Sequence, residues 1–336
     1  MAARRRWDES DVKIRPGKRS RPRSKVRPSH DDAEFGLVVT KDRGRWGVVL
    51  DRDAGSPDRE PIVCMRAREL GRTGIVVGDR VGVVGDTSGA PGSLARIVKL
   101  EERTSVLRRT ADDTDAFERI VIANADKLLI VCAVADPPPR AGFVERALVA
   151  AFAGKIEPIV CLTKSDLADP AEFAANFAAL DVPVVTCGID DRLESVTDLI
   201  DGHVTALIGH SGVGKSTLVN RLVPDADRAT GEVSGVGKGR HTSTQSVALR
   251  LPGGGWIIDT PGIRSFGLAH IQPDTVIGVF DDLRDTAADC PRGCTHLGPP
   301  ADPECALDSL DGASARRLAA IRQIIEALNT NDDWDM

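Results

Sequence analysis

An octapeptide near the middle of the chain has the residue types and spacing of a phosphate-binding loop. It runs Gly209-His210-Ser211-Gly212-Val213-Gly214-Lys215-Ser216, with Thr217 behind it, and fits the pattern G-x4-G-K-[ST]. Glycines let successive backbone N–H groups and the N-terminus of the following helix face an anion. We expect this phosphate loop and Thr217 to bind a nucleotide. Lys215 would act catalytically by bridging the β- and γ-phosphate oxygens, and the Ser216 hydroxyl would be a ligand of Mg²⁺.

A second phosphate-side element follows about 40 residues later. Residues 256–262 read Trp-Ile-Ile-Asp-Thr-Pro-Gly, an apolar strand pattern that ends in an aspartate. Alone, Asp-x-x-Gly at a strand end is also the pattern of an ordinary turn. Behind a phosphate loop, it predicts that Asp259 belongs to the Mg²⁺ shell and that the Gly262 N–H approaches the γ-phosphate.

A guanine-binding element, Thr163-Lys164-Ser165-Asp166, lies before the phosphate loop in the chain. The Asp166 carboxylate can accept hydrogen bonds from both N1–H and the 2-amino group of guanine, whereas adenine would leave it unpaired. Lys164 can lay its aliphatic stem over the base, and Thr163 stands where an Asn is common. Thr186-Cys187-Gly188, behind the strand pattern of residues 182–185, could back the base or form an ordinary turn. The sequence therefore predicts a site for GTP and GDP.

The glycine-rich segment between the two phosphate-side elements is typical of a mobile switch. Residues 234–244 read Ser-Gly-Val-Gly-Lys-Gly-Arg-His-Thr-Ser-Thr, and we expect Thr242 or Thr244 to close on Mg²⁺ and the γ-phosphate. Ile263 occupies the position where Ras-like enzymes carry the Gln that orients the attacking water. Because isoleucine cannot hydrogen-bond water, another group must do so. His241 is our candidate for that catalytic group, with RNA contact or simple packing as its alternatives.

Three cysteines and one histidine near the C-terminus have the ligand types of a structural zinc site. They are Cys290, Cys294, His296 and Cys305, with Pro and Gly residues in the intervals. Three thiolates and one imidazole form a closed tetrahedral set for Zn²⁺. The alternative is a group of free cysteines around a buried histidine. Behind the cluster, apolar residues at helical spacing predict one packed helix face: Leu318, Ile321, Ile324, Ile325 and Leu328.

The elements that would position these residues alternate between apolar runs and helical stretches. Residues 127–132, 158–162 and 204–208 read as buried strands, and the last two run directly into the guanine-binding element and the phosphate loop. Residues 143–152 have a helical pattern. This alternation predicts an α/β P-loop GTPase domain with a parallel sheet and crossover helices. Its motif order is circularly permuted, because an ordinary small GTPase has the phosphate loop first.

Short strand patterns separated by Gly, Asp and Pro occupy the region from residue 35 to about residue 105. The clearest of them are residues 36–39, 46–50, 62–65 and 80–84. Five strands in about 70 residues predict a β-barrel of the OB-fold type, which commonly binds oligonucleotides. Many such barrels only mediate domain contacts, so the fold alone does not establish binding.

The net charge of −6 hides a strongly basic N-terminal tail. Residues 1–30 hold eleven Lys or Arg and three Asp or Glu, a net +8, which leaves −14 on the rest. Its prolines and low apolar content predict a disordered arm that can lie along phosphates, with a solvated tail as the alternative.

The 336-residue chain is 41% hydrophobic and has no apolar run of membrane-spanning length or signal segment. Seven cysteines, an odd number, favour a reducing cytoplasm over a disulfide scaffold.

The motif order and the flanking modules resemble those of one family. The guanine-binding element, the phosphate loop, the Gly239-Arg240-His241-Thr242 switch and the Asp-Thr-Pro-Gly element follow each other as in circularly permuted GTPases. With an OB-like barrel in front and a Cys/His cluster behind, residues 35–325 are similar to the ribosome small-subunit-dependent GTPase A (RsgA) family. We therefore expect a multidomain chain with an OB-fold RNA-binding barrel (35–107), the permuted GTPase domain (108–285) and a zinc-binding α-helical C-terminal domain (286–336). The basic tail (1–34) is a fourth segment, which the family pattern does not include.

The resemblance also implies an activity and its partners. It implies GTP hydrolysis to GDP and phosphate, stimulated by the small (30S) ribosomal subunit during late maturation of that subunit in the bacterial cytoplasm. It further implies binding to 16S ribosomal RNA as a monomer, together with other assembly factors. Two alternatives stay open. One is a permuted GTPase of large-subunit assembly, which we expect to lack the barrel and the zinc cluster. The other is an RNA-binding scaffold with a vestigial nucleotide site, against which the intact Lys215, Ser216, Asp259 and Asp166 argue.

Overall fold

The computed structural model describes residues 29–56, 60–71, 73–109, 119–224, 246–260, 268 and 271–329. The chain divides into two compact units, residues 1–31 and 32–336, and the architecture below is that of the second unit. The basic tail up to residue 28, the switch at residues 234–244 with His241 and Thr242, and Gly262 with Ile263 lie outside the described residues. Their roles stay predictions.

The first five described strands close into a barrel. They are β1 (Glu34–Asp42), β2 (Arg45–Leu50), β3 (Ile62–Arg66), β4 (Arg80–Gly85) and β5 (Ala95–Leu100). Their order is β1-β2-β3-β5-β4, with β4 pairing back to β1 and β3 parallel to β5. This closed five-stranded arrangement confirms the predicted barrel, and its order is that of an OB-fold. On β3, Cys64 is completely buried inside the barrel, whereas its neighbours Val63 and Met65 are exposed.

A hairpin that the sequence analysis did not predict follows the barrel. Its strands are β6 (Val106–Arg109) and β7 (Arg119–Ala123). The Ala123 N–H donates to the Val77 carbonyl oxygen of the barrel at 3.1 Å. A Cβ on the next residue, Gly78, would lie 1.9 Å from the Ala123 carbonyl oxygen, so a glycine is needed for this close approach.

A buried ion pair fixes the barrel loop that the hairpin contacts. The Asp79 carboxylate is completely buried and accepts two hydrogen bonds from the Arg103 guanidinium, at 2.7 and 2.9 Å. The same carboxylate accepts the Val76 N–H at 2.7 Å. Bidentate pairs of this kind bring specific geometry as well as charge balance.

We expect Arg103→Ala to lower the free energy of unfolding by about 3 kcal/mol, because a buried carboxylate would lose its charged partner. The matched control is Arg80→Ala. Arg80 also pairs with an aspartate, Asp51 at 2.7 Å, but both side chains are exposed, and exposed pairs contribute less than about 1 kcal/mol. Urea unfolding followed by tryptophan fluorescence measures both losses. Equal losses in the two variants would contradict the role assigned to the buried pair.

Six of the described strands form the α/β part. They are β8 (Lys127–Ala133), β9 (Glu157–Thr163), β10 (Val184–Cys187), β11 (Val204–Ile208), β12 (Val247–Arg250) and β13 (Trp256–Asp259). Their order is β10-β9-β8-β11-β13-β12, and neighbours are parallel except for the antiparallel β12–β13 pair. The apolar run 128–133 is almost completely buried, as expected for a central parallel strand. The predicted parallel sheet is confirmed.

The helices of the described residues pack on and beside this sheet. They are α1 (Ala141–Ala153), α2 (Ala171–Ala175), α3 (Glu194–Ile200), α4 (Lys215–Leu222), α5 (Pro273–Ile277), α6 (Asp281–Ala287) and α7 (Gly312–Asn329). α1 contains the helix predicted over residues 143–152. In α7 the predicted apolar face is buried at Leu318, Ile321, Ile324 and Ile325, and the side chain of Leu328 is not described. Within the described ranges, no helix has both the length and the apolar character needed to cross a membrane.

One apolar cluster extends from the barrel to the C-terminal helix. It includes Leu37 of β1, Ile122 of β7, Leu128 of β8, Leu148 of α1 and Ile321 of α7. Barrel and α/β sheet are also joined by strand pairing, since Thr40 of β1 pairs with Val247 of β12. The predicted boundaries at 107/108 and 285/286 fall within β6 and α6, and the division into domains stays a prediction.

Candidate functional site

The predicted nucleotide-site residues that are described lie at the carboxyl edge of the parallel sheet, where open α/β sheets bind ligands. β11 ends at Ile208, directly before the phosphate loop, and α4 begins at Lys215. Gly212 and Gly214 have φ angles of +83° and +94°, in the left-handed region that favours glycine. A Cβ on Gly209 would lie 2.5 Å from the Val131 carbonyl oxygen. The loop therefore needs its glycines, as the phosphate-binding pattern predicts.

Lys215 and Asp259 belong to the same half of the site. The Lys215 ammonium group donates hydrogen bonds to the carbonyl oxygens of Gly209 and, at 2.6 Å, His210. Burial lowers the pKa of Lys215, and the negative charge of Asp259 partly offsets that effect. Asp259 ends β13 and pairs in register with Leu207 of β11, just before the loop. A carboxylate at the end of β13 and an ammonium group at the start of α4 suit the binding of Mg²⁺ and phosphate.

The guanine-binding element contacts the phosphate loop through Thr163. This threonine ends β9 and is buried, and its hydroxyl donates to the Val213 carbonyl oxygen at 2.6 Å. Lys164 has a φ of +60°, and its ammonium group donates to the Asp136 carbonyl oxygen in the loop after β8. The two motifs, about 50 residues apart in sequence, therefore form one site.

The loop after β10 packs against the guanine-binding element. The Ile189 N–H donates to the Asp166 carboxylate at 3.1 Å. A Cβ on Gly188 would lie 3.2 Å from the same carboxylate oxygen. These contacts favour the base-backing role of Thr186-Cys187-Gly188 over an ordinary turn. Asp191 and Arg221, which also contact this loop, were missed, because neither belongs to a spacing pattern that could have pointed to them.

The four predicted metal ligands come together between α6 and α7. The ligand atoms of Cys290, Cys294, His296 and Cys305 all lie within 4.8 Å of one another. Cys290 Sγ is 3.6 Å from His296 Nδ1 and 4.0 Å from Cys305 Sγ. Zn–S bonds of about 2.3 Å and a Zn–N bond of about 2.1 Å give tetrahedral edges of about 3.5–3.8 Å. The donor set therefore fits Zn²⁺, and the two distances from Cys290 Sγ lie close to these edges.

Two side chains outside the ligand set orient the cluster. Asp274 Oδ1 lies 2.7 Å from His296 Nε2, so Nε2–H donates to the carboxylate and Nδ1 faces the cysteines, as in the carboxylate–histidine pairs of many zinc sites. Arg322 of α7 donates to the His296 carbonyl oxygen at 2.8 Å and lies 3.7 Å from Cys305 Sγ. A positive charge there opposes the excess negative charge of three thiolates around one divalent ion. Neither residue stands near the cluster in sequence, so motif spacing could not reveal it.

Comparison with known proteins shows which family the chain resembles. The RsgA GTPase family model matches residues 100–269. The small ribosomal subunit biogenesis GTPase RsgA of Gemmatimonas aurantiaca is 38% identical over 283 residues, 81% of this chain and 89% of that protein. The protein of the same name from Azotobacter vinelandii is 33% identical over 306 residues, 87% of this chain and 85% of its own length. The crystal structure of YloQ, a circularly permuted GTPase, has a TM-score of 0.60 at 22% identity, over 90% of this chain and 98% of that one.

The fold and the site define a P-loop GTPase with a circularly permuted motif order, a GTP-hydrolysing enzyme. A closed five-stranded barrel precedes its α/β sheet, and a Cys₃His cluster that could bind zinc follows it. The chain belongs to the RsgA GTPase family. The family resemblance found in the sequence is thereby confirmed.

Proposed function

We propose that this enzyme hydrolyses GTP to GDP and phosphate on the small (30S) ribosomal subunit, during late maturation of that subunit. The extent of the similarity carries the proposal. Two relatives whose names state small-subunit biogenesis match 87% and 81% of this chain. The nucleotide-binding region matched by the family model spans only residues 100–269, so the similarity to these relatives includes flanking parts as well.

In the proposed site, each half of the nucleotide has its own residues. Residues 209–217 hold the phosphates, with Lys215 across the β- and γ-phosphate oxygens, while Ser216 and Asp259 hold Mg²⁺. Asp166 accepts the N1–H and 2-amino hydrogens of guanine, and Lys164 covers the base. Thr163 and Ser165 complete the guanine-binding element. We assign Thr242 to Mg²⁺, Gly262 to the γ-phosphate and His241 to the attacking water.

One structural zinc ion is proposed at the Cys/His cluster. Four protein ligands leave no open coordination position, so the ion would organise the C-terminal loop rather than take part in hydrolysis. Three features support the assignment: the ligand types, the closeness of the four ligand atoms, and the Asp274 partner of His296.

The proposed RNA partner is 16S ribosomal RNA, contacted by the barrel and the basic tail. On the outer face of the barrel, Arg45 of β2, Met65 of β3 and Arg96 of β5 are exposed and lie in register on neighbouring strands. Two arginines around an apolar side chain suit phosphates together with an unstacked base. We place the enzyme in the cytoplasm as a monomer that acts with other assembly factors.

GTP turnover measured alone, with purified 30S subunits and with purified 50S subunits tests this function. We expect only 30S subunits to raise the rate, by at least about tenfold, because the bound subunit would position His241 at the attacking water, which Ile263 cannot orient. The double variant Arg45→Glu and Arg96→Glu should lose this stimulation and keep the intrinsic rate. Stimulation by 50S subunits alone would favour a role in large-subunit assembly. An absence of turnover in all three mixtures would contradict the proposal.

A further inference from the structure

Arg221 joins the helix behind the phosphate loop to the loop beside the guanine-binding element. It lies in the last turn of α4, the helix that begins at Lys215. Its guanidinium donates to the Gly188 carbonyl oxygen at 3.0 Å and to the Asp191 carbonyl oxygen. A guanidinium carries its donors in a rigid plane, so binding two carbonyl groups at once fixes the backbone between them.

The segment that Arg221 holds is the one in contact with the guanine-binding carboxylate. Ile189, between the two bound carbonyl groups, donates its N–H to Asp166 Oδ1 at 3.1 Å. The Gly188 N–H donates to the Asp191 carboxylate at 2.6 Å. A Cβ on Gly188 would lie 3.1 Å from Asp191 Oδ2 and 3.2 Å from Asp166 Oδ1. Because two carboxylates flank this loop so closely, a guanidinium bound to it stabilises their charges as well as its backbone.

An arginine in the last turn of a helix often stabilises only its own helix, by interacting with the dipole and the terminal carbonyl groups. The described hydrogen bonds of Arg221 run instead to residues 187, 188 and 191, about 30 positions away in sequence. The Arg221 guanidinium therefore binds the loop beside the guanine-binding element, although Arg221 itself lies on α4, the helix behind the phosphate loop.

We propose that Arg221 is a positioning residue for guanine selection: it holds residues 188–191 so that Asp166 points at both hydrogen-bond donors of the base. This inference rests on the guanine site proposed above. Without the guanidinium, the loop would relax and Asp166 would keep one good hydrogen bond rather than two. Selectivity for the 2-amino group should fall, while the phosphate loop and the chemical step stay intact.

Affinities for GDP, IDP and ADP in the presence of Mg²⁺ test this role, because IDP lacks the 2-amino group. We expect Arg221→Gln to weaken GDP binding by about tenfold, the effect of one charge-assisted hydrogen bond. IDP binding should weaken much less, so the GDP/IDP ratio should fall. For GTP turnover, KM should rise and kcat should stay unchanged. Arg221→Lys, which keeps the charge and loses the planar fork, should give an intermediate ratio.

The matched control is Arg192→Gln, an arginine of the same loop whose side chain is 90% exposed. It should leave all three affinities unchanged. If Arg221→Gln leaves the ratio of the GDP and IDP affinities unchanged, the inference is wrong. That result would not contradict the guanine site. A wild-type enzyme that binds ADP as tightly as GDP would contradict the guanine site itself. If Arg221→Gln does not fold, the ratio in Arg221→Lys decides in the same way.

Discussion

Lys215→Ala is expected to lower kcat/KM for GTP by about a thousandfold while the chain stays folded. The expected size is that of removing one preorganised charge from a phosphoryl-transfer transition state, together with part of the ground-state binding. Among the described residues, the Lys215 ammonium group donates to two carbonyl oxygens of its own loop, those of Gly209 and His210. Water can replace the ammonium group at these carbonyls, so the fold should lose little stability. GTP turnover by phosphate release, GDP binding by calorimetry and thermal unfolding measure the three effects.

The matched control for Lys215→Ala is Lys127→Ala, at the opposite edge of the same sheet. Lys127 begins β8 and pairs at 2.5 Å with Glu157, which begins β9. Its removal should leave turnover unchanged, because the amino ends of these strands lie away from the nucleotide site. Normal turnover by Lys215→Ala, or an equal loss in both variants, would disprove the assignment of the phosphate loop.

The parts of the site that could be predicted are those in which chemistry dictates local sequence. The phosphate loop needs glycines at fixed positions, because its backbone must take left-handed angles at Gly212 and Gly214 and pass close to Val131 at Gly209. The strands before it are continuous apolar runs, because both faces of a parallel sheet are covered. Loop and strand together therefore leave a pattern in one short stretch of sequence.

The parts that could not be predicted depend on contacts between distant residues. Arg221 acts on residues 188 and 191, and Asp274 acts on His296; each looks like an ordinary surface charge of a short helix. The β6–β7 hairpin was missed because its strands are short. Its position is fixed by Gly78, whose lack of a side chain admits the Ala123 carbonyl. Periodicity carries no information on such pairings.

In the structure, strand pairing joins the phosphate side of the site to the barrel. Asp259 ends β13, which pairs with β12, and β12 in turn pairs with β1 of the barrel through Val247 and Thr40. Further along the chain, Asp274 of α5 contacts His296 of the Cys/His cluster. The barrel is therefore connected through the sheet to the phosphate side of the site, the side that changes when GTP becomes GDP, whereas the Cys/His cluster follows that side along the chain.

Removal of a proposed zinc ligand is the other change with a large expected effect. Cys305→Ser should lower the affinity of the chain for Zn²⁺ by at least about a thousandfold, because the ion would lose one of four thiolate or imidazole ligands of a closed site. Asp274→Ala should lower it by only about 10- to 100-fold, the usual effect of removing the carboxylate partner of a ligand histidine. Competition with a chromophoric chelator gives both affinities, and metal analysis of the wild type should give one zinc ion per chain.

Cys64→Ala is the control for these two variants, since Cys64 is buried in the barrel and lies outside the ligand set. It should keep full zinc affinity even where it costs stability. Cys305 is buried and belongs to the apolar cluster that includes Ile321 of α7, so the zinc-free variant should also unfold at a lower temperature. A zinc affinity of Cys305→Ser equal to that of Cys64→Ala would show that the four residues are not a zinc site. An unchanged affinity in Asp274→Ala would show that His296 is oriented without its carboxylate partner.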